Sequence, residues 1–220
     1  MNKDDLKHLC SKLPRYPGLM DKERYFNAAV LIPLVQQDNS YYFLFEKRAA
    51  HIRQGGEISF PGGKFEADND KTCQEAAIRE TEEELGLDRD RIYIQGRCDT
   101  YISPRGITID SFLAILDIDN VSELQPDRNE VEDIFILPVS WFIENKPQEY
   151  NLRLEIHPFS KADNGTRIDH LPVEDFGLPA KYRHSWTGLG HKVYVYSTPK
   201  AVIWGITAEL VHYVIDKLIK

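Results

Sequence analysis

Four glutamates occur within five consecutive positions of the sequence, at Glu80, Glu82, Glu83 and Glu84. On a helix, residues three and four positions apart share a face, so Glu80, Glu83 and Glu84 project together. Like charges at these spacings destabilise an exposed helix by roughly 0.2–0.5 kcal/mol per pair. A hard divalent cation would remove this repulsion, because Mg²⁺ binds carboxylate oxygens and keeps water and substrate phosphates as its other ligands. The cluster therefore indicates a metal site.

The alternative interpretation of the same run is a solvated acidic helix face. Such a face pairs each carboxylate with a base three or four residues later, as Arg79 follows Glu75. No base follows Glu80, Glu83 or Glu84 at those spacings. We therefore prefer the metal site.

The segments around the cluster predict a helix that carries the glutamates and a tight backbone turn before that helix. Thr72 followed by Glu75 has the form of a capping box, in which each side chain accepts a hydrogen bond from the other residue's backbone. Good helix formers come next, and Gly86 suits a left-handed cap, so we predict a helix from about Thr72 to Leu85. Before this helix, the paired glycines of "FPGG" (Phe60–Gly63) allow a tight turn and close approach of the backbone to a ligand.

This region resembles the signature box of the Nudix hydrolases, which is a Gly, a loop, and then Arg-Glu-aliphatic-x-Glu-Glu-x-Gly-aliphatic. The sequence matches the second part from Arg79 to Leu87. It differs at Thr81, which stands at an aliphatic position, and in the loop from Gly63 to Arg79, which is two residues longer than usual. All of the helix glutamates of the pattern are present.

The box also lacks one of its usual acidic residues. A Glu is usual six residues after the second Gly, and Asn69 stands there. The residues that could take its place are Glu66, Asp68 and Asp70, and the sequence does not choose among them.

The segment before the box resembles the coenzyme A pyrophosphatase branch of the Nudix family. In "EKRAAHIRQGGEISFPGG" the matching residues are Arg48, Ala49, Gly56 and Phe60. Arg53 lies one residue nearer to Gly56 than is usual in that motif. The C-terminal "AVIWGITAELVHYVIDKLI" is similar to the closing helix of the branch.

The resemblance implies a single Nudix domain over residues 1–220, with an N-terminal helix at about 3–13, a core at about 25–198 and a C-terminal helix at about 200–220. Strands surround a few helices without regular alternation, which favours the α+β class. For that class the resemblance implies an α/β/α sandwich with a mixed sheet. The predicted strands lie at 27–35, 41–48, 91–102, 109–118, 132–139, 150–159 and 191–197, and a short helix is predicted at 139–145.

The resemblance also implies roles for individual residues. Mg²⁺ or Mn²⁺ would be held by Glu80, Glu83, Glu84 and the carbonyl of Gly62. A further metal ligand is expected near residue 130, and we prefer Glu130 to Glu132. Arg79 would orient the glutamates, so the catalytic residues are Arg79, Glu80, Glu83 and Glu84. The general base is left open between a box glutamate and one on a later loop.

The substrate implied by the branch is coenzyme A or an acyl derivative, cleaved to 3′,5′-ADP and (acyl-)4′-phosphopantetheine. Arg48, Arg53 and Arg105 are candidates to bind its phosphates. One alternative is a Nudix hydrolase of another nucleoside diphosphate derivative, such as ADP-ribose or NADH. The other is a non-catalytic Nudix-fold nucleotide sensor, against which the intact glutamate cluster argues.

The composition restricts the partners that we expect. The 220-residue chain has 35 acidic and 27 basic residues and a formal net charge of −8, which argues against general nucleic-acid binding. Three cysteines without a CxxC pair favour a reducing compartment. No apolar run approaches ~18 residues, and the N-terminus lacks the apolar core of a signal peptide, so we expect no membrane span and a cytoplasmic location. The expected partner is a small nucleotide substrate, and the sequence leaves open whether the chain forms a homodimer.

Overall fold

The computed structural model describes residues 1–220, with four α-helices and fifteen β-strands. The helices are α1 (Lys3–Lys12), α2 (Cys73–Leu85), α3 (Val139–Glu144) and α4 (Gly205–Ile219). The first eight strands are β1 (Phe26–Gln37), β2 (Ser40–Arg48), β3 (Ile58–Ser59), β4 (Gly62–Lys64), β5 (Ile92–Arg97), β6 (Tyr101–Ser103), β7 (Ile107–Leu116) and β8 (Val131–Pro138). The other seven are β9 (Gln148–Leu152), β10 (Glu155–Ile156), β11 (Phe159–Lys161), β12 (Arg167–Asp169), β13 (Trp186–Thr187), β14 (His191–Ser197) and β15 (Val202–Trp204).

The first eight strands form one mixed sheet around the long strand β1. β1 pairs in parallel with β7, from Phe26 opposite Ile107 to Val35 opposite Leu116. β1 also pairs antiparallel with β2 at one end and with the short β4 at the other. β8 extends the sheet beyond β2, and β5 and β6 pair with the other side of β7. The predicted α+β class and the mixed sheet are confirmed.

Helices cover both faces of this sheet. Successive residues of a strand point to opposite sides, so each central strand contributes side chains to both layers. Leu31 and Leu44 belong to a buried cluster with α2, whereas their neighbours Ile32, Phe43 and Phe45 belong to a second cluster with α3 and α4. A one-residue slip of β2 would move three apolar side chains to the wrong layer, so its register is strongly specified. The layers are therefore α/β/α.

The helix that carries the glutamates begins and ends close to the predicted positions. The backbone N–H of Glu75 donates to Thr72 Oγ1 at 3.2 Å, and Gly86 adopts the left-handed conformation at the C-terminus. The other half of the expected capping box is displaced by one residue, because the Glu75 carboxylate accepts from the N–H of Lys71 at 2.9 Å. The backbone N–H groups of Lys71 and Glu75 are therefore both hydrogen-bonded at the start of the helix, but the Glu75 carboxylate does not bond to Thr72 as expected.

The two ends of the chain differ in how they are packed. α1 begins after Asn2, whose side chain accepts from two backbone N–H groups, and none of its residues is buried. The predicted C-terminal helix at about 200–220 is shorter in the structure, because residues 202–204 form β15 and pair antiparallel with Val195–Ser197 of β14. Strand pairing by β-branched residues thus overrides the helical pattern at this point. None of the helices combines the length and apolar character needed to cross a membrane.

Candidate active site

The glutamate cluster lies where α2 packs against the two glycines of β4. The N–H of Gly62 donates to Glu84 Oε2 at 2.8 Å. A Cβ added to Gly63 would lie 2.5 Å from both carboxylate oxygens of Glu80, so only a glycine leaves room for this carboxylate. The paired glycines therefore bring the backbone of β4 against the carboxylates of α2.

Glu84 is the most deeply buried of the predicted site residues, with 2% of its side chain exposed. Burial raises the pKa of its carboxyl group, and the neighbouring Glu46 raises this pKa further. The hydrogen bond from Gly62 opposes both effects. A buried carboxylate at this position is energetically costly unless a cation compensates it.

Glu46 is a second buried carboxylate that the sequence analysis did not select. It lies near the end of β2 on the face that carries Leu44, which places it toward α2, and it has no exposed surface. Ser59 donates to Glu46 Oε1 at 2.8 Å, whereas Oε2 has no hydrogen-bond partner in the protein. The signal that could have found it is a charged residue at a core position of an otherwise apolar strand.

Arg48 lies between these two carboxylates. Its Nη1 is 3.6 Å from Glu46 Oε1 and 3.9 Å from Glu84 Oε1, and 22% of its side chain is exposed. Its Nε donates to the carbonyl of Arg53 at 3.3 Å. One guanidinium group therefore faces two buried carboxylates without a close hydrogen bond to either.

Arg79 holds the other carboxylates of the cluster. It contacts Asp70 through two nitrogens, with Nε at 3.0 Å from Oδ1 and Nη2 at 3.2 Å from Oδ2. Its Nη1 donates to Glu83 Oε2 at 3.0 Å, and Nη2 is 2.9 Å from Glu80 Oε1. The hydrogen bond with Asp70 is the largest contribution that raises the pKa of Arg79, so this cation stays charged.

Asp70 is the only one of the three candidates for the missing acidic residue that contacts Arg79. It is buried, and the backbone N–H of Glu66 donates to its Oδ2 at 2.9 Å. The carboxylate of Glu66 instead accepts from the side chain of Asn69, and Asp68 is exposed. In this longer loop, Asp70 is therefore the acidic residue that reaches Arg79.

The remaining glutamates lie at the rim of the cluster or outside it. Glu83 has 59% of its side chain exposed. Burial raises the pKa of Glu46 and of Glu80, and the charge of the exposed Glu130 adds to the effect in both. The Glu130 carbonyl accepts from the backbone N–H of Ala49 at 2.8 Å, which places Glu130 beside the residue that follows Arg48. Glu132 instead pairs with Lys47 at 2.5 Å. The structure therefore brings Glu130, not Glu132, toward the predicted metal site.

The three predicted phosphate-binding arginines are in different places. Only Arg48 makes an ion pair with the carboxylates of the cluster. Arg53 is exposed on the loop that follows β2, next to Arg48. Arg105 is exposed in the turn between β6 and β7, and it forms no ion pair.

The donor chemistry of this region fits a divalent cation. Two guanidinium groups face more acidic side chains than they can neutralise, and one buried oxygen has no partner. Hard cations take such carboxylate oxygens as ligands. In the conformation described, Arg79 contacts Glu80 and Glu83, and no three acidic side chains converge as a ligand set. The acidic side chains of the cluster are Glu46, Asp70, Glu80, Glu83, Glu84 and Glu130.

A groove of about 620 Å³ lies elsewhere, between β8 and the segment before α4. Its lining includes Lys47, Phe135 and Lys200. Lys47 follows Glu46 on β2 and therefore points to the opposite face of the sheet. None of the carboxylates of the cluster lines this groove.

An α/β/α sandwich with a mixed sheet is the arrangement that the resemblance implied. The paired glycines, at which the sequence indicated a tight turn, instead begin the short strand β4. The family model described as NUDIX domain matches residues 25–157, which is more than half of the chain. The protein belongs to this family.

Similar proteins include two that are named coenzyme A diphosphatases. The mouse peroxisomal coenzyme A diphosphatase NUDT7 is 31% identical over 153 residues, covering 65% of this chain and 62% of that protein. The human mitochondrial coenzyme A diphosphatase NUDT8 is 33% identical over 131 residues, covering 59% of this chain and 55% of that protein. Nudix hydrolase 3 of Caenorhabditis elegans is 27% identical over 223 residues, covering 97% of this chain and 82% of that protein.

These similarities confirm the resemblance to the Nudix family and to its coenzyme A branch. The chain spans between about half and two thirds of the length of the two coenzyme A diphosphatases.

Proposed function

We propose that the protein is a divalent-metal-dependent pyrophosphohydrolase that cleaves coenzyme A or an acyl-coenzyme A to 3′,5′-ADP and (acyl-)4′-phosphopantetheine. The observation that carries the reaction class is the excess of carboxylates around Glu84, held against the backbone of Gly62. The similarity to two proteins named coenzyme A diphosphatases supports the substrate class.

The metal ligands in this proposal are Glu80, Glu83, Glu84, Glu130 and the carbonyl of Gly62. Mg²⁺ or Mn²⁺ bound there would stabilise charge on the diphosphate oxygens and lower the pKa of water. The water adds to one phosphorus as the bond from that phosphorus to the bridging oxygen breaks. The protein itself performs little covalent chemistry, so positioning and charge stabilisation dominate.

The arginines have separate roles in this proposal. Arg79 keeps Glu80 and Glu83 at the site, and Asp70 fixes the orientation of Arg79. Arg48 lies beside Glu84 and is partly exposed, so it can reach a phosphate of a substrate bound at the same place. Arg53 lies next to Arg48 at the surface, and Arg105 is the more distant candidate.

The experiment that tests this function is product analysis with several diphosphates in parallel. Purified protein is incubated with Mg²⁺ or Mn²⁺ and with coenzyme A, ADP-ribose or NADH, and each reaction has a chelator control. We expect metal-dependent release of 4′-phosphopantetheine, with coenzyme A turned over fastest. Dephospho-coenzyme A is the matched substrate control, because it lacks only the 3′-phosphate.

The other outcomes separate the parts of the proposal. Faster hydrolysis of ADP-ribose or NADH would retain the metal site and reject the coenzyme A assignment. Binding of a nucleotide without hydrolysis under any metal condition would reject the enzyme and favour a sensor.

The expected location and assembly remain predictions. Of the relatives named above, NUDT7 carries the word peroxisomal in its name and NUDT8 the word mitochondrial. A cytoplasmic location for this protein is tested by cell fractionation, and the homodimer by light scattering of the purified chain.

A further inference from the structure

Glu46 is a fully buried carboxylate for which the resemblance to known proteins gives no role. One oxygen accepts from Ser59, and the other has no hydrogen-bond partner in the protein. A buried acceptor without a donor costs about 1–3 kcal/mol. An apolar residue would fill this position of β2 without that cost, so packing does not explain the carboxylate.

The surroundings of Glu46 leave its charge incompletely balanced. Arg48 Nη1 lies 3.6 Å from Glu46 and 3.9 Å from Glu84, and these distances are too long for good hydrogen bonds. The single positive charge of Arg48 is shared between two buried carboxylates. The charges of Glu80 and Glu130 add further repulsion.

The two buried aspartates of the protein are paired more closely. Asp70 is held by two nitrogens of Arg79, and Asp110 by Lys22 and Arg97. Glu46 differs from both because one of its oxygens is unpartnered and because its cation, Arg48, lies beyond hydrogen-bond distance. A small cation of higher charge, shared with Glu84, would satisfy both features.

We propose that Glu46 is an additional carboxylate of the cation site and that its Oε2 coordinates, directly or through one water, the divalent cation held by Glu84. This inference rests on the metal dependence in the proposed function and is independent of the substrate. It adds a residue from β2 to a ligand set otherwise drawn from β4, α2 and the loop before β8.

The competing explanation is a protonated Glu46 with a purely structural role. A structural residue would affect folding without affecting metal affinity. The two explanations therefore differ in a measurable quantity.

The decisive experiment is titration of the full chain with Mn²⁺ in the absence of substrate, with free Mn²⁺ followed by electron paramagnetic resonance. Glu46→Gln keeps the size of the side chain and an acceptor for Ser59, and we expect its Kd for Mn²⁺ to rise at least tenfold. Glu132→Gln is the matched control, because Glu132 is a nearby glutamate that pairs with Lys47, and we expect its Kd to be unchanged. A Kd for Glu46→Gln within twofold of the wild-type value would overturn the inference, as would absence of Mn²⁺ binding by the wild-type protein.

Thermal unfolding separates metal binding from folding. In EDTA we expect Glu46→Gln to unfold at or above the wild-type Tm, because a repulsive buried charge has been removed. The increase in Tm that Mn²⁺ causes in the wild type should be smaller in the variant. Glu46→Met gives a second test if Glu46→Gln does not fold, with the same expected loss of Mn²⁺ affinity. Because neither measurement uses hydrolysis, failure to cleave coenzyme A would reject the proposed substrate and leave this inference to be decided by the titration.

Discussion

Asp70 and Arg79 form a two-point ion pair that joins the loop before α2 to the middle of the helix. The two contacts are 3.0 and 3.2 Å long, and the hydrogen bond from Arg79 is the main reason that the pKa of Asp70 lies below its usual range. The remaining donors of Arg79 reach Glu80 and Glu83. Asp70 therefore orients Arg79, and Arg79 in turn orients Glu80 and Glu83.

We predict that Asp70→Asn weakens the site through Arg79 without removing a metal ligand. Loss of a residue that orients metal ligands commonly costs 10–100-fold in metal affinity or activity, and we expect a loss of about that size. The Kd for Mn²⁺ and the kcat for the diphosphate should be measured together. Asp68→Asn, in the same loop but exposed, is the control and should match the wild type. Equal Mn²⁺ affinity of the Asp70 variant and the wild type would contradict this role.

Substitution of a helix glutamate by glutamine tests the catalytic assignment directly. Glu83→Gln and Glu84→Gln should each reduce kcat by about 100-fold or more, because the charge stabilisation that a metal supplies amounts to several kcal/mol. The fold should remain intact, and in EDTA Glu84→Gln should be at least as stable as the wild type because its buried charge is lost. Circular dichroism and steady-state kinetics check both statements. Wild-type turnover by both variants would reject the site.

The two glycines of β4 should respond differently to alanine. At Gly62 the added Cβ would collide with the backbone carbonyl of Ala29, and the residue has a φ of 153°, so Gly62→Ala should lower Tm by several degrees. At Gly63 the three atoms nearest to the added Cβ all belong to the carboxylate of Glu80, which is the end of a flexible side chain. Gly63→Ala should therefore reduce Mn²⁺ affinity with a smaller change in Tm. Thermal unfolding in EDTA and Mn²⁺ titration distinguish the two, and the opposite ranking would contradict the packing described.

Removal of the Arg48 charge should destabilise the protein more when metal is absent than when it is present. Arg48→Met leaves Glu46 and Glu84 without their shared cation, and we expect a loss of about 1–3 kcal/mol in the free energy of unfolding in EDTA. Mn²⁺ should reduce this loss, because the metal supplies the missing positive charge. Arg53→Met is the control, since that side chain is exposed and makes no ion pair. The same loss with and without Mn²⁺ would show that Arg48 stabilises the fold for another reason.

Local signals in the sequence were sufficient to predict α2 and its acidic face. Thr72, Gly86 and the helix formers between them act within a few residues, so the start, the end and the projecting face follow from the sequence alone. The structure adds that Asp70 is the one of the three candidates for the missing acidic residue that contacts Arg79, and this contact depends on the path of a loop.

Contacts between distant segments were harder to predict. Glu46 on β2 lies near Glu84 on α2 although α2 packs mainly on β1, β4 and β7, and no local sequence pattern predicts this contact. The alternation of Leu44 and Glu46 on one face of β2 was visible, but whether the end of the strand is buried depends on the rest of the fold. Likewise, the sequence pattern predicts a helix at residues 202–204, and only their pairing with β14 makes them a strand.

The buried Asp110 gives a prediction about pH that is separate from the metal site. Its side chain is 2% exposed and accepts hydrogen bonds from Lys22 at 2.9 Å and from Arg97 and Thr100 at 2.6 Å each. Burial alone would raise the pKa of this carboxyl group, but these hydrogen bonds and one from Cys73 outweigh burial and hold the pKa below its usual range. The ionised form is therefore favoured more strongly in the folded protein than in the unfolded chain.

A lowered carboxyl pKa stabilises the folded state above the pKa of the unfolded chain, near 4 for aspartate, and this contribution is lost as the pH falls. Asp110→Asn should therefore reduce the free energy of unfolding by about 3 kcal/mol at pH 7, where a buried charge pair is broken. The difference from the wild type should shrink as the pH falls below about 4, because Asp110 of the unfolded wild-type chain then binds a proton that the folded protein does not, which lowers the stability of the wild type but not of the variant. Urea denaturation of both proteins between pH 3 and pH 7 measures this, with the exposed Asp163→Asn as the control. A difference that stays constant over that range would mean that Asp110 stabilises the protein through its shape, because its charge would then contribute nothing.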